Sequence, residues 1–235
     1  MTAVTAITAQ NTVAVTAVHP VPGDVIVEQV RAVVDDIGVD AVKIGMLGSV
    51  AITEAVAEAL DLVGDAPVVL DPVMISESGA RLLEVDAQEA LRTQLVPRAA
   101  VVTPNVPEAR ALAGREASGE DAAEELVRAV HALGPGAVVL TGGHRKEATD
   151  VFFDGEQLVE IPGERYEGGS SHGSGCTHSS ALAAQLALGF EPLEAAKQAK
   201  LIASEAVRDG LKTVGQGPGP VDVFGLEARK RGQTP

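Results

Sequence analysis

Four short apolar, β-branched runs set the architecture: Val39–Ile44, Pro67–Leu70, Ala100–Thr103 and Ala137–Leu140, each ending at a polar or glycine-bearing turn. Half-buried strands alternate apolar and polar residues; nearly continuous apolar runs belong to strands covered on both faces. Between them lie segments of helical period: Pro22–Asp36, Ser49–Leu62, Asp86 to about Leu95, Pro107–Leu112 and Glu120–Leu133, with Pro192–Arg208 as the last long helix. Ser49 is placed to cap the second of these, which gathers Ile52, Val56, Ala59, Leu60 and Val63 on one face, and Asp86 with Glu89 resembles a capping box. Strand and helix alternating in this way predict an α/β three-layer α-β-α sandwich around a mainly parallel sheet. Val151–Phe153 and Leu158–Ile161, around Asp154-Gly155, read as an edge hairpin. Residues 1–235 read as a single domain, with loop after Gly215. Met1–Ala9 and Val13–Val18 read as strands, and because apolar material starts at the initiator methionine the reading expects an element upstream of it.

In a sheet of this kind ligands bind outside the carboxyl ends of the strands. The polar punctuation falls there: Gln10, Lys43, Asp71, Asn105, Thr141 and a glycine-rich loop. That loop, Gly168-Gly-Ser-Ser-His-Gly-Ser-Gly-Cys-Thr-His-Ser-Ser180, runs directly into an alanine/leucine helix. The first N–H groups of a helix have no intrahelical partner and the dipole there is positive, so an anion, most often a phosphate, is the natural guest. Gly173 and Gly175 let the backbone approach it closely. Cys176, the lone cysteine, stands where that field would lower a thiol pKa.

The formal charge of −15, without a basic cluster, argues against nucleic acid and anionic membrane surfaces as partners. One cysteine rules out an internal disulfide and suits a cytoplasmic location. No apolar run reaches membrane-spanning length. With aromatics at 2%, the core has to be aliphatic and alanine-rich.

Six segments occur in a telling order: Thr8-Ala-Gln-Asn-Thr12, Lys43-Ile-Gly-Met-Leu47, Leu70-Asp-Pro-Val-Met74 with Ser78-Gly79, Thr103-Pro-Asn-Val-Pro-Glu108, Thr141-Gly-Gly-His144 and His172-Gly-Ser-Gly-Cys-Thr177. Together they resemble the hydroxymethylpyrimidine/phosphomethylpyrimidine kinases of thiamine biosynthesis, in the ribokinase superfamily. The cysteine of the last segment separates this branch from sugar kinases, which carry an aspartate there. The resemblance implies ATP-dependent phosphorylation of 4-amino-5-hydroxymethyl-2-methylpyrimidine and then of its monophosphate, with Mg²⁺ as cofactor and a homodimer as the expected assembly. It also implies the roles. Gln10 reads the pyrimidine, with Met46 and Val73 packing round the ring. Cys176 is catalytic, and Gly173, Ser174 and Gly175 form the anion hole. Asn105, Thr141, Gly143 and Lys200 lie on the ATP and phosphate side, and Glu108 and Asp71 hold the metal. Physical sense supports them: phosphoryl transfer rests on positioning and charge neutralisation, Mg²⁺ takes one or two carboxylates, and an amide both donates and accepts.

Three departures stand out. The family begins with a further strand, an Asp-Pro-Ser-Gly-Gly-Ala-Gly-like loop and a helix that this sequence does not contain. Thr141 occupies a position where many members have a nucleotide-contacting lysine, leaving Lys43 or Lys200 as substitutes. Glu77 and Pro218 replace residues often basic or histidine. Four other readings bear on the same residues. A metal site from His172, Cys176 and His178 lacks a fourth ligand. A cysteine hydrolase with His172 or His144 as base leaves Gln10, Asn105 and Glu108 without roles. A pyridoxal kinase and a non-catalytic pyrimidine binder share most of the motifs.

Overall fold

The computed structural model describes residues 1–75, 79, 82–115, 122–143, 148–166, 168 and 170–226. Ser78 and His144 of the motifs above, Glu77, and the start of the helix expected from Glu120 lie outside them. Six strands form one sheet in sequential order: β3 (Val42–Ile44), β4 (Val68–Leu70), β5 (Val101–Val102), β6 (Ala137–Leu140), β7 (Asp150–Phe153) and β8 (Leu158–Ile161). The pairs from β3 to β6 are parallel, and β6–β7 and β7–β8 are antiparallel.

Successive residues in these strands feed opposite cores. Val68, Leu70, Val102, Val138, Leu140, Val151 and Phe153 pack in one cluster with Ile26 of α1 (Gly23–Asp36), Ile52 and Val56 of α2 (Val50–Ala59), Leu112 of α4 (Val106–Leu112) and Leu126 of α5 (Ala123–His131). Val69, Val101, Val139 and Phe152 pack on the other side against Leu182 of α6 (Ser174–Ala187) and Ala195, Ala196 and Ala199 of α7 (Pro192–Arg208). Period-two alternation with both faces apolar is why the runs read as continuous, and it makes the three layers. Burying each Leu or Val contributes about 1.5–3 kcal/mol.

Local signals acted as expected at α2, where Ser49 Oγ accepts from the Ile52 N–H (3.4 Å). They did not at α3 (Val85–Ala90). Its N-cap is Glu84 with no side-chain bond, so the capping box assigned to Asp86 and Glu89 is absent, and Glu89 instead pairs with Arg92 (2.9 Å). The N-terminal strands form as expected, but outside the main sheet. β1 (Ala6–Gln10) and β2 (Val15–Pro20) pair antiparallel as a separate two-stranded ribbon, and Met1 and Ile7 are 78% and 59% exposed. β-branched runs favour an extended backbone whether or not another layer covers them, so strand character did not imply burial.

Candidate active site

The carboxyl ends of the parallel strands are stepped together by main-chain bonds: Asp71 N–H donates to Ile44 O (2.9 Å), Thr103 N–H to Leu70 O (2.9 Å) and Thr141 N–H to Pro104 O (2.9 Å). Asp71, just past β4, is buried; it accepts from Ser179 Oγ of α6 (2.9 Å) and faces the Lys43 ammonium at 3.4 Å. Lys43 folds back across Gly45, where a Cβ would stand 2.6 Å from its Nζ. A side chain at 45 would displace the Lys43 ammonium from this position.

Asn105 and Glu108 build the capping box of α4. Asn105 Oδ1 accepts from the Glu108 N–H (2.9 Å), and Glu108 Oε2 accepts from the Asn105 N–H (2.9 Å). Glu108 Oε1 takes the Met74 N–H (3.4 Å), which ties α4 to the segment after β4. Burial, assisted by the negative charge of Asp71 and opposed by the bonds from Asn105 and Met74, pushes the Glu108 carboxyl up to about 7. Two buried carboxylates repelling one another, with only hard oxygen donors, fit a Mg²⁺ that keeps most of its waters and phosphate ligands. Among the described residues no group of three or more His, Cys, Asp or Glu could hold a metal ion alone.

Opposite them, Gly173 adopts a left-handed conformation (φ 87°) that turns the loop into α6. The Ser174 N–H is engaged by the Ser171 carbonyl (3.0 Å), whereas the N–H groups of Gly173 and Gly175 make no main-chain hydrogen bond among the described residues and that of Cys176 faces its own sulfur. Cys176 reaches solvent, yet the protein packed around its sulfur desolvates a thiolate and pushes the thiol up; Lys43 pulls it down, and Asp71 and Glu108 push it up. The lowered thiol expected from the helix terminus is therefore not found. Crowding and two neighbouring carboxylates outweigh one lysine and the backbone N–H beside the sulfur.

Gln10 is brought over from the ribbon, its Nε2 lying 3.3 Å from His172 Nε2 in the cysteine loop. Thr5 Oγ1 donates to Met46 O (2.8 Å), and Met46 and Val73 are half-buried. Thr141 is half-buried and Gly143 exposed at the end of β6. Lys200 is engaged elsewhere: its ammonium donates to Asp150 Oδ1 and to Ala148 O, both at 2.6 Å. His172 meets Gln10 and His178 faces Asp150, so the two histidines weighed as metal ligands diverge.

Sequence reasoning missed the clamp between the ribbon and the C-terminal loop. Thr12 Oγ1 accepts from the N–H groups of Gln216 and Gly217 (both 3.2 Å), His172 N–H donates to Gly219 O (3.2 Å) and Val221 N–H to His172 O (3.1 Å). The spaced glycines at 215, 217 and 219 were the available signal; at 217 a Cβ would strike the Thr12 carbonyl. Gly217→Ala is expected to free the ribbon. Amide exchange over β1 and β2 should quicken by about tenfold, which corresponds to ~1.4 kcal/mol, with the six-stranded sheet unchanged. Equal protection in both proteins would show that the C-terminal loop does not hold the ribbon.

The phosphomethylpyrimidine kinase family profile matches residues 1–222. A hydroxymethylpyrimidine/phosphomethylpyrimidine kinase of Rhizobium meliloti is 46% identical over 228 residues, 94% of this chain and 84% of that protein. One from Bacillus subtilis is 40% identical over 234 residues, 97% and 84% respectively. Among solved structures, the ADP complex of Bacillus subtilis pyridoxal kinase superposes with a TM-score of 0.86 at 36% identity, covering 97% of this chain and 87% of that one. The phosphomethylpyrimidine kinase of Clostridium difficile does so at 0.75 and 38%, covering 88% and 86%. The chain has the ribokinase-like fold and belongs to the phosphomethylpyrimidine kinase family.

Proposed function

We propose that this chain uses ATP to phosphorylate the hydroxymethyl group of 4-amino-5-hydroxymethyl-2-methylpyrimidine, and then the monophosphate, supplying the diphosphate for thiamine synthesis. The observation that carries the reading is the meeting of N–H groups without main-chain partners at the start of α6 with Cys176, Lys43, Asp71 and Glu108 at one edge of the sheet. Gln10, with Met46 and Val73, would hold the pyrimidine so that its hydroxyl lies by Cys176. Cys176 first loses its own proton to solvent, and the resulting thiolate accepts the hydroxyl proton as the new O–P bond forms and the bond to the ADP oxygen breaks. The N–H groups of Gly173, Gly175 and Cys176 bear the charge that builds on the transferred group, as an oxyanion hole does; Ser174 contributes its position in the turn rather than its engaged N–H. Asn105, Thr141 and Gly143 line the nucleotide side. Glu108 and Asp71 would hold Mg²⁺, which supplies charge neutralisation between the phosphates.

A homodimer is part of the reading, the exposed Ile7 and Val13 (59% and 56%) of the ribbon being its apolar surface; light scattering of Ile7→Glu beside the wild type tests it. A cytoplasmic site of action is also part of it, and no described helix is long and apolar enough to cross a membrane.

The test is a coupled assay of ATP consumption with the aminopyrimidine, its monophosphate and pyridoxal in parallel. Faster turnover of pyridoxal than of the aminopyrimidine would overturn the substrate assignment, and pyrimidine binding without ATP consumption would overturn catalysis. Gln10→Ala is expected to raise the KM for the aminopyrimidine by about tenfold or more, the cost of one buried polar pairing at ~1–3 kcal/mol. The KM for ATP should stay unchanged, and an unaltered pyrimidine KM would remove Gln10 from substrate recognition.

A further inference from the structure

Asp150 opens β7 at the same edge of the sheet and is 1% exposed, and three separate elements converge on it. Its Oδ1 accepts from the Gly142 N–H (2.7 Å) and from Lys200 Nζ of α7 (2.6 Å). Its Oδ2 stands 3.4 Å from His178 Nε2, on α6 two residues beyond Cys176. The last approach is an ion-pair distance without hydrogen-bond alignment, since neither ring nitrogen of His178 nor Asp150 Oδ2 has a hydrogen-bond partner among the described residues. His178 is nonetheless 4% exposed. Leaving a buried imidazole in that state is costly, and core packing alone gives no reason to retain it.

The surroundings are shaped to this convergence. Gly142 lies so flat on β7 that a Cβ would strike the Thr149 main chain, which aims its N–H at the carboxylate. Ala148 sits at φ 48°, a left-handed conformation unfavourable for an alanine, and its carbonyl accepts the second Lys200 bond. Lys200 passes over Gly163, where a Cβ would collide with its Cε. Burial works against an ionised Asp150, but His178 and Lys200 outweigh it and the carboxyl lies below its ordinary range. Strain gathered around one charged group points to a positional requirement of the site rather than to stability alone.

We propose that Asp150 is a positioning residue of the kinase: it fixes the Thr141–Gly143 turn relative to the first turn of α6, and so sets the nucleotide against the Cys176 anion hole. Asp71 does the same from the other side through Ser179, so α6 enters the site held between two buried carboxylates. Lys200 is then the counter-charge that keeps Asp150 ionised, and its ammonium does not reach the phosphates. The inference rests on the functional reading above for the roles of the turn and of Cys176.

The test compares Asp150→Asn, His178→Phe and His178→Gln with the wild type, at enzyme concentrations set by the stoichiometry of pyrimidine binding. Asp150→Asn should raise the KM for ATP by about tenfold and lower kcat by a similar factor, as misplacement of a reacting group does, with the KM for the aminopyrimidine within about twofold. His178→Phe should lower kcat by about fivefold with both KM values held, and His178→Gln, which keeps a polar group facing Asp150, should recover most of that loss. A destabilised but correctly aligned enzyme would lose active sites without moving the KM for ATP. A folded Asp150→Asn with wild-type kinetics overturns the inference. If Asp150→Asn does not fold, a His178→Phe enzyme with wild-type kcat overturns it instead. A wild-type chain that consumes no ATP with the pyrimidine would remove the functional reading itself, a separate outcome.

Discussion

Cys176→Ala should lower the rate of phosphoryl transfer by about 10²–10⁴-fold, the range of a lost general acid–base group, with aminopyrimidine affinity within about twofold. The reasoning is differential. The sulfur is needed when the hydroxyl proton leaves, while Gln10, Met46 and Val73 carry the ground-state binding. The raised thiol sharpens the expectation. With its sulfur desolvated by the surrounding protein and Asp71 and Glu108 facing it, Cys176 is a thiol at rest. Mg²⁺ held by those carboxylates would cancel their share of the upward push and leave Lys43 as its main electrostatic neighbour. Thiol titration with and without Mg²⁺ and a non-hydrolysable nucleotide should therefore show the Cys176 pKa falling on binding. Near-normal turnover in Cys176→Ala, measured by product formation in a single turnover, would take the proton-accepting role away from it.

Most of this arrangement was legible beforehand, and for a definite reason. Strand ends such as Ile44-Gly45, Leu70-Asp71 and Val102-Thr103 mark where an apolar run meets polar residues, and a parallel sheet brings all such ends to one edge. The loop before α6 carried its meaning in its glycines. What the sequence did not display was pairing at long range. Ser179 with Asp71, Lys200 with Asp150, and Thr12 with Gly217 lie 108, 50 and 205 residues apart, and no local pattern connects them. Lys200 is the instructive case. A lysine facing a phosphate and a lysine neutralising a buried aspartate look the same in sequence, and only the position of Asp150 separates them. Asp86 and Asn105 teach the same lesson for caps. Both precede a glutamate by three residues, but only Asn105 lies at a strand-to-helix junction that leaves its backbone extended (ψ 175°) and able to cap.

Glu108→Gln is expected to stabilise the protein at pH 8 and to impair it as an enzyme. The native carboxyl titrates at about 7 against an ordinary 4.5, so the folded state holds the proton more tightly than the unfolded one. For a carboxylate shifted upward, stability is greatest below the unfolded value, declines as pH rises from about 4.5 to about 7, and is level above. The decline amounts to roughly 3 kcal/mol, at ~1.4 kcal/mol per pH unit. A neutral glutamine avoids it and can still accept the Asn105 N–H, which preserves the capping box, although its amide nitrogen gives up the longer bond from the Met74 N–H (3.4 Å). The melting temperature at pH 8 should therefore rise by roughly 2–4 °C per kcal/mol recovered, and the gain should vanish near pH 4.5. Adding Mg²⁺ with nucleotide should raise the wild type toward the variant, because the metal stabilises the ionised form that burial penalises. The same change should weaken Mg²⁺-dependent turnover by about tenfold or more, since a carboxamide is a poorer ligand for a hard cation. Parallel pH–stability curves for the two proteins would show that Glu108 is ionised at no cost in the fold, and full activity at limiting Mg²⁺ would exclude it from the metal site.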